Sequence, residues 1–257
     1  MNRFLKLVVV PFLALVLIAF LVAFIYIYQE RSFVSLDDES FEHEKIITSA
    51  NDEIHIGIIG DSWVAGNKLD QHIVDHLSIN NISATVKSAG FLGHKSKEIL
   101  ELHDVDGDFR NILLDQSIEY IVLIAGVNDT SGHIGKDYYV HHMTELINLI
   151  QEYDKTPLIL ELPEYGVEED KPLKSSVKHG LYRYLFDDGE KDVITKYRTH
   201  LNDTVDSDLY ELIPFDDFVN DFHENKNLYK DNFHLNDKGN ELLGIHIADF
   251  IYDLHNN

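Results

Sequence analysis

From about residue 53 onward, short apolar runs alternate with stretches of helical periodicity, and few folds accommodate that order. "EIHIGIIG" reads as a first strand, and "KLDQHIVDHLSI" as a helix with Leu69, Ile73 and Leu77 on one face. "ISATVKSAG" reads as a second strand and "KSKEILELH" as a helix; "YIVLIAG" and "TPLILELP" are a third and fourth strand. The long amphipathic stretch "KDYYVHHMTELINLIQEYD" separates those two, and "LYELIPF" is a weaker fifth strand. The chain closes on "NDKGNELLGIHIADFIYDL", where Leu242, Leu243, Ile247, Phe250 and Ile251 form a helical stripe. This alternation predicts a parallel sheet with helices on both faces, and sites in such sheets gather at the carboxyl ends of the strands.

Ahead of that region the chain has a different character. Arg3 and Lys6 precede an uncharged stretch from Leu7 to Tyr28, 22 residues long. As a helix it spans about 33 Å, close to the roughly 30 Å hydrocarbon thickness of a bilayer. It ends in bulky "FIYIYQERS", where a cleaved signal peptide would carry a small-x-small site, so a retained anchor is expected. The expected organisation is a short cytoplasmic N-terminus at 1–6, a transmembrane anchor at 7–28, a polar stalk at 29–52 and a folded domain at 53–257. The two N-terminal cations put that domain outside the cytoplasm, periplasmic or at the cell surface. The net charge of −24, from 45 acidic against 21 basic side chains, argues against nucleic acid as a partner. The absence of cysteine excludes disulfides, thiolate metal sites and cysteine nucleophiles.

Four polar clusters sit after strands or before the last helix. They are "GDSW" at Gly60–Trp63, "SAGFLGHKS" with Gly90 and Gly93, "AGVNDT" with Gly126, Asn128 and Asp129, and "DNFHLNDKG" with Asp231 and His234. Singly, each reads as a turn or a helix cap. Together they supply an acyl-transfer site. A serine hydroxyl needs a base, commonly histidine, and that imidazole needs a carboxylate on its other nitrogen. Asp231 and His234, three apart, can pair while His234 reaches Ser62. A tetrahedral intermediate also needs donors for its oxyanion, which the Ser62 amide, the Gly90 amide and the Asn128 side chain could provide.

In these four blocks, taken in order, the chain resembles the SGNH or GDSL hydrolases, over roughly Glu53 to Leu254. The resemblance implies Ser62 as nucleophile, His234 as base, Asp231 as its partner, and Gly90 and Asn128 with Ser62 in the oxyanion hole. It also implies a three-layer α/β/α, flavodoxin-like fold with a five-stranded parallel sheet, here preceded by one transmembrane helix. Two positions depart from the family pattern: Ser88 stands where the second block usually has asparagine, and Trp63 replaces an aliphatic residue after the serine. Trp63 and Asp129 are candidates for lining the substrate pocket; Trp63 could equally pack under the loop.

Other candidates read as structural. "DVDGD" (Asp104, Asp106, Asp108) resembles the start of a calcium loop, but the positions needing glycine and glutamate are Phe109 and Asp115. His72 and His76 lack a zincin glutamate, and His141 and His142 point to different faces. Asn81, Asn128 and Asn202 each begin an N-x-S/T triplet, which matters only in a host that glycosylates. The charged segment 164–191 is either an insertion over the site or the fourth crossover helix, with a slight lean to the first. No metal or organic cofactor is expected. The expected activity is a serine esterase removing O-acyl groups, chiefly acetyl, from an extracytoplasmic glycan or a small ester. An O-acetyltransferase with the same triad, a lysophospholipase or thioesterase, and a non-catalytic anchored glycan-binding protein remain open.

Overall fold

Every strand of the sheet runs parallel, in the order β2-β1-β3-β4-β5. The computed structural model describes residues 3–36, 53–166, 173–190 and 192–256. They fall into two units, one ending at Val34 and one starting at Ser35.

The first unit is one helix, α1 (Arg3–Glu30), with Pro11 inside it. Its apolar span, Val9–Glu30, has a mean hydropathy of 2.9 and no buried residue. A helix of this length and composition fits a membrane anchor or a signal sequence. The expected stalk lies outside the described residues from 37 to 52.

The second unit begins its sheet with β1 (Glu53–Gly60), followed by α2 (Leu69–Ile79) and β2 (Ser83–Gly90). Two short helices, α3 (Ser96–Glu101) and α4 (Gly107–Leu114), lead into β3 (Tyr120–Ile124). Next come α5 (Val127–Gly132), α6 (Lys136–Glu152) and β4 (Thr156–Leu160). Then α7 (Leu173–Phe186) and α8 (Val193–Thr204) precede β5 (Glu211–Ile213), and α9 (Asp237–Asn256) closes the chain.

Strands β1, β3 and β4 are buried along nearly their whole length, as a parallel sheet covered on both faces requires. Helices α2 and α9 pack together, as do α3, α6 and α8. Because β2 lies to one side of β1 and β3 to the other, right-handed crossovers put α2 and α6 on opposite faces. The strand order reverses between β1 and β3, and their carboxyl ends form the crevice where such sheets bind ligands.

Several elements differ from the sequence reading. The acidic "DVDGD" stretch leads into a helix that the sequence reading did not include: Asp106 caps α4 by accepting the Asp108 and Phe109 N–H groups at 3.0 and 2.9 Å. The fifth strand shrinks to three residues. In the 164–191 segment, α7 is extra to α8, which makes the β4–β5 crossover; residues 167–172 lie outside the described residues.

Candidate active site

Strand β1 ends at Gly60, and the next residue fixes the turn. Asp61 donates its N–H to Ile124 O of β3 at 3.0 Å, and its carbonyl accepts the Val64 and Ala65 N–H groups at 3.1 and 3.2 Å. Its carboxylate, fully buried, accepts the Trp63 N–H through Oδ1 at 2.9 Å. Asn67 adds a clamp from the far side of the turn, donating Nδ2 to Ser62 O at 2.8 Å and Trp63 O at 2.9 Å. Ser62 is thereby held at the strand tip with 7% of its surface exposed.

His234 approaches from the loop before α9. Its Nε2 lies 3.1 Å from Ser62 Oγ, and its Nδ1 lies 3.0 Å from each Asp231 oxygen. A carboxylate only accepts, so Nδ1 carries the proton and Nε2 presents its lone pair to the hydroxyl. An antiparallel bridge between Tyr229 and Leu235 closes this loop, and Lys230 N–H donates to His234 O at 2.9 Å. Inside it, Asp231 Oδ1 also accepts the Phe233 and His234 N–H groups at 2.7 and 2.8 Å. Partial burial pushes the Asp231 carboxyl up, but these hydrogen bonds and the His234 ring outweigh it and hold it below its ordinary value. Asn236 then caps α9, accepting Gly239 N–H at 3.0 Å.

Gly90 ends β2 in register with Gly60, and Phe91 N–H donates to Gly60 O at 2.8 Å. Alternation along a parallel ladder leaves the Gly90 N–H outside the β1–β2 pairing. A Cβ on Gly90 would stand 2.4 Å from Ala65 N, so only glycine lets β2 lie this close to the turn carrying Ser62. Gly126, at φ +119°, turns the chain from β3 into α5 and presents Asn128. The Asn128 amide donates to His94 O at 2.9 Å and faces Asp61 Oδ2 at 3.4 Å. Ser62, Gly90 and Asn128 are thus gathered at three adjacent strand ends. Ser88, exposed on the edge strand, takes no part.

Two expected pocket residues do something else. Trp63 is 1% exposed and packs edge-on against Phe215 and Tyr229, with centroids at 5.8 and 6.4 Å. It packs beneath the turn, joining the strand tip that carries Ser62 to the loop that carries His234. Asp129 is fully buried, accepting Ser96 Oγ–H at 2.6 Å and Ser96 N–H at 3.0 Å, and so ties α5 to α3. Neither lines a substrate pocket.

The sequence reading assigned no role to Asp61, Asn67 or Tyr229. Only Asp61 carries a local signal, an aspartate two residues before the N–H it accepts. The segment after β4 also clasps the loop carrying Asp231 and His234: Gly166 N–H donates to Asn232 O at 2.8 Å, and the Tyr165 and Phe233 rings meet at a tilt with centroids 5.6 Å apart. Among the described residues no group of three or more His, Asp or Glu could hold a metal. His76 pairs with Asp249 of α9 at 2.6 Å, and His142 is buried with Nδ1 against Tyr138 O at 2.8 Å.

Residues 58–242 match the model of the GDSL-like lipase/acylhydrolase family. The chain belongs to that family. A GDSL-like hydrolase of this kind acts on ester bonds. No curated protein sequence matches this hydrolase, but solved structures share its fold. An acetyl xylan esterase superposes at TM-score 0.57 and 19% identity, over 77% of this chain and all of the other. A lipase/acylhydrolase from Enterococcus faecalis gives 0.56 and 18%, over 77% and 95% of the two chains. A psychrotrophic esterase from Pseudoalteromonas sp. gives 0.52 and 20%, over 79% and 99%.

Proposed function

We propose that this GDSL-like hydrolase is a membrane-anchored serine esterase with Ser62, His234 and Asp231 as its catalytic triad. The observation that carries the reading is the continuous relay from Ser62 Oγ through His234 to Asp231, at 3.1 and 3.0 Å. His234 Nε2 takes the hydroxyl proton as Ser62 Oγ attacks the ester carbonyl. The developing oxyanion is met by the Ser62 and Gly90 amides and by the Asn128 N–H whose 3.4 Å contact with Asp61 is the looser of its two. The tetrahedral intermediate collapses as the imidazolium protonates the leaving alcohol. Water, deprotonated by the same imidazole, then attacks the acyl-enzyme, releases the acid and restores Ser62.

The substrate proposed is an O-acylated glycan, chiefly acetylated, outside the cytoplasm. Two observations support it: α1 fits a membrane anchor with Arg3 and Lys6 on its N-terminal side, and an acetyl xylan esterase shares the fold. The domain plan of a 7–28 anchor, a 29–52 stalk and a 53–257 catalytic region is part of the same proposal.

The test is acetate release from p-nitrophenyl acetate by the full chain, with Ser62→Ala and His234→Ala beside the wild type. Each substitution is expected to lower kcat by at least about 10⁴-fold. Turnover indifferent to both would sink the triad assignment.

A further inference from the structure

A cavity of about 500 Å³ opens between the loop after the nucleophile, residues 66–68, and the segment 230–241 that contains the His234 loop and the start of α9. Ser62, Asp231 and His234 do not line it; its walls are their neighbours along the chain. Asn67 lines it, and that side chain holds Ser62 O at 2.8 Å. Lys230 and Leu235 line it too; Lys230 precedes Asp231 and bonds to His234 O, and Leu235 follows His234 directly.

The charge of this cavity runs against the rest of the molecule. The chain carries a net −24, yet the lining has three lysines, Lys68, Lys230 and Lys238, against two carboxylates, Asp237 and Glu241. Lys238 is satisfied by Glu241 at 3.0 Å. Lys68 and Lys230 have no carboxylate within ion-pair distance among the described residues. Lys68 is moreover held at φ +56°, a backbone conformation uncommon outside glycine, immediately before α2. The positive ends of α2 and α9 both start at this cavity and add to its potential without themselves defining a site. Leu235 is the one large apolar side chain on its walls, which does not suit an acyl chain.

We propose that this cavity receives an anionic substituent, a carboxylate or phosphate, on the alcohol portion of the ester, so that the preferred substrates are acylated acidic glycans. The alcohol is the portion concerned because His234 protonates the leaving oxygen, and the cavity walls flank His234 on both sides in sequence. A surface as acidic as this one repels anionic polymers, and the two unpaired lysines counter that repulsion locally. The inference rests on the serine-esterase reading of the same site.

The experiment compares acetate release by the full chain from three acetylated substrates. They are an O-acetylated oligogalacturonide, the same oligosaccharide with its carboxylates methyl-esterified, and an O-acetylated sugar phosphate; p-nitrophenyl acetate is run alongside. Preference for a charged substrate over the neutral one in kcat/KM is expected to be about tenfold at low salt and to shrink toward unity near 1 M NaCl. The double variant Lys68→Gln/Lys230→Gln is expected to abolish that preference, whereas Lys87→Gln, a lysine of β2 paired with Asp115, keeps it. Preference in the carboxylate arm alone assigns a uronate-type ligand, and in the phosphate arm alone a phosphate. Hydrolysis of p-nitrophenyl acetate with no charge preference in either arm, or a preference untouched by the double variant, overturns the cavity's role and leaves the esterase reading standing. No hydrolysis of any ester overturns the esterase reading and this inference with it.

Discussion

Asp61 Oδ2 faces the Asn128 amide nitrogen across 3.4 Å, while Oδ1 of the same carboxylate holds the Trp63 N–H at 2.9 Å. One buried side chain therefore fixes the turn carrying Ser62 and faces the Asn128 amide at the neighbouring strand end. Asp61→Asn keeps the shape but puts an N–H where one of these acceptors stood. The expected result is a kcat for p-nitrophenyl acetate lower by on the order of tenfold to a hundredfold, with KM changed far less, because in the proposed mechanism Asn128 donates to the oxyanion and its displacement is felt in the transition state. Steady-state kinetics on the folded variant decide it. An unchanged kcat would show that Asp61 is only a turn residue.

The same carboxyl links stability to pH. Burial pushes Asp61 up to about 7, opposed by the Trp63 N–H bond and reinforced by the nearby Asp129 charge. Burial likewise pushes Asp129 up to about 6 against the Ser96 hydrogen bonds. The unfolded chain loses these protons near the ordinary value of 3.8, so between there and about 7 the folded state binds more protons. Stability contributed by these acids therefore falls as pH rises through that window and levels off above it. His142 has the opposite sign: burial pushes it down to about 4 from 6.5, so its contribution falls as pH drops between those values. The difference between wild type and Asp61→Asn isolates one group. Tm of the variant is expected to decline less than that of the wild type between pH 5 and 8 in thermal melts. Parallel curves would contradict the assignment.

Trp63 is the chain's single tryptophan, and its indole N–H is buried with no hydrogen-bond partner among the described residues. Its fluorescence should be blue-shifted in the native state and move red only when the contact with Phe215 and Tyr229 is lost. Trp63→Ala removes a packed strut and is expected to destabilise the domain by about 3–5 kcal/mol. Trp63→Phe keeps part of the aromatic packing and should cost much less. Urea unfolding followed by circular dichroism measures both. A Trp63→Ala variant as stable as wild type would mean that the indole does not brace the loop carrying His234.

The parts of this architecture legible from sequence were those whose pattern repeats along the chain. "EIHIGIIG" and "YIVLIAG" announce buried strands because both faces of a parallel strand are covered, and Leu69, Ile73 and Leu77 announce α2 by their spacing. Asp231 and His234 were legible because three residues around one turn can pair. What escaped was set by distant neighbours. Asp106 looks like any acidic loop residue until α4 forms behind it, and β5 is short because pairing with β4 runs only from Glu211 to Ile213. The role of Trp63 depends on Phe215 and Tyr229, more than 150 residues further on, which no local pattern reveals.

Gly90 separates a steric requirement from a chemical one. A Cβ there would lie 2.4 Å from Ala65 N, 2.6 Å from Ala65 Cα and 2.9 Å from Val64 C, all backbone atoms that no rotamer change can move aside. Gly90→Ala must therefore push β2 away from the turn carrying Ser62 and carry the Gly90 N–H with it. The expected outcome is a modest stability loss of about 1–3 kcal/mol, as for other overpacked sites. The same shift should cut kcat by on the order of a hundredfold, the scale of a lost oxyanion donor. Ser88→Ala, two residues earlier and exposed, is expected to leave both within error. Denaturation and p-nitrophenyl acetate kinetics on the two variants measure both quantities. A Gly90→Ala protein that loses stability yet keeps its kcat would place the oxyanion entirely with Ser62 and Asn128, because the displaced amide would then have had no share in it.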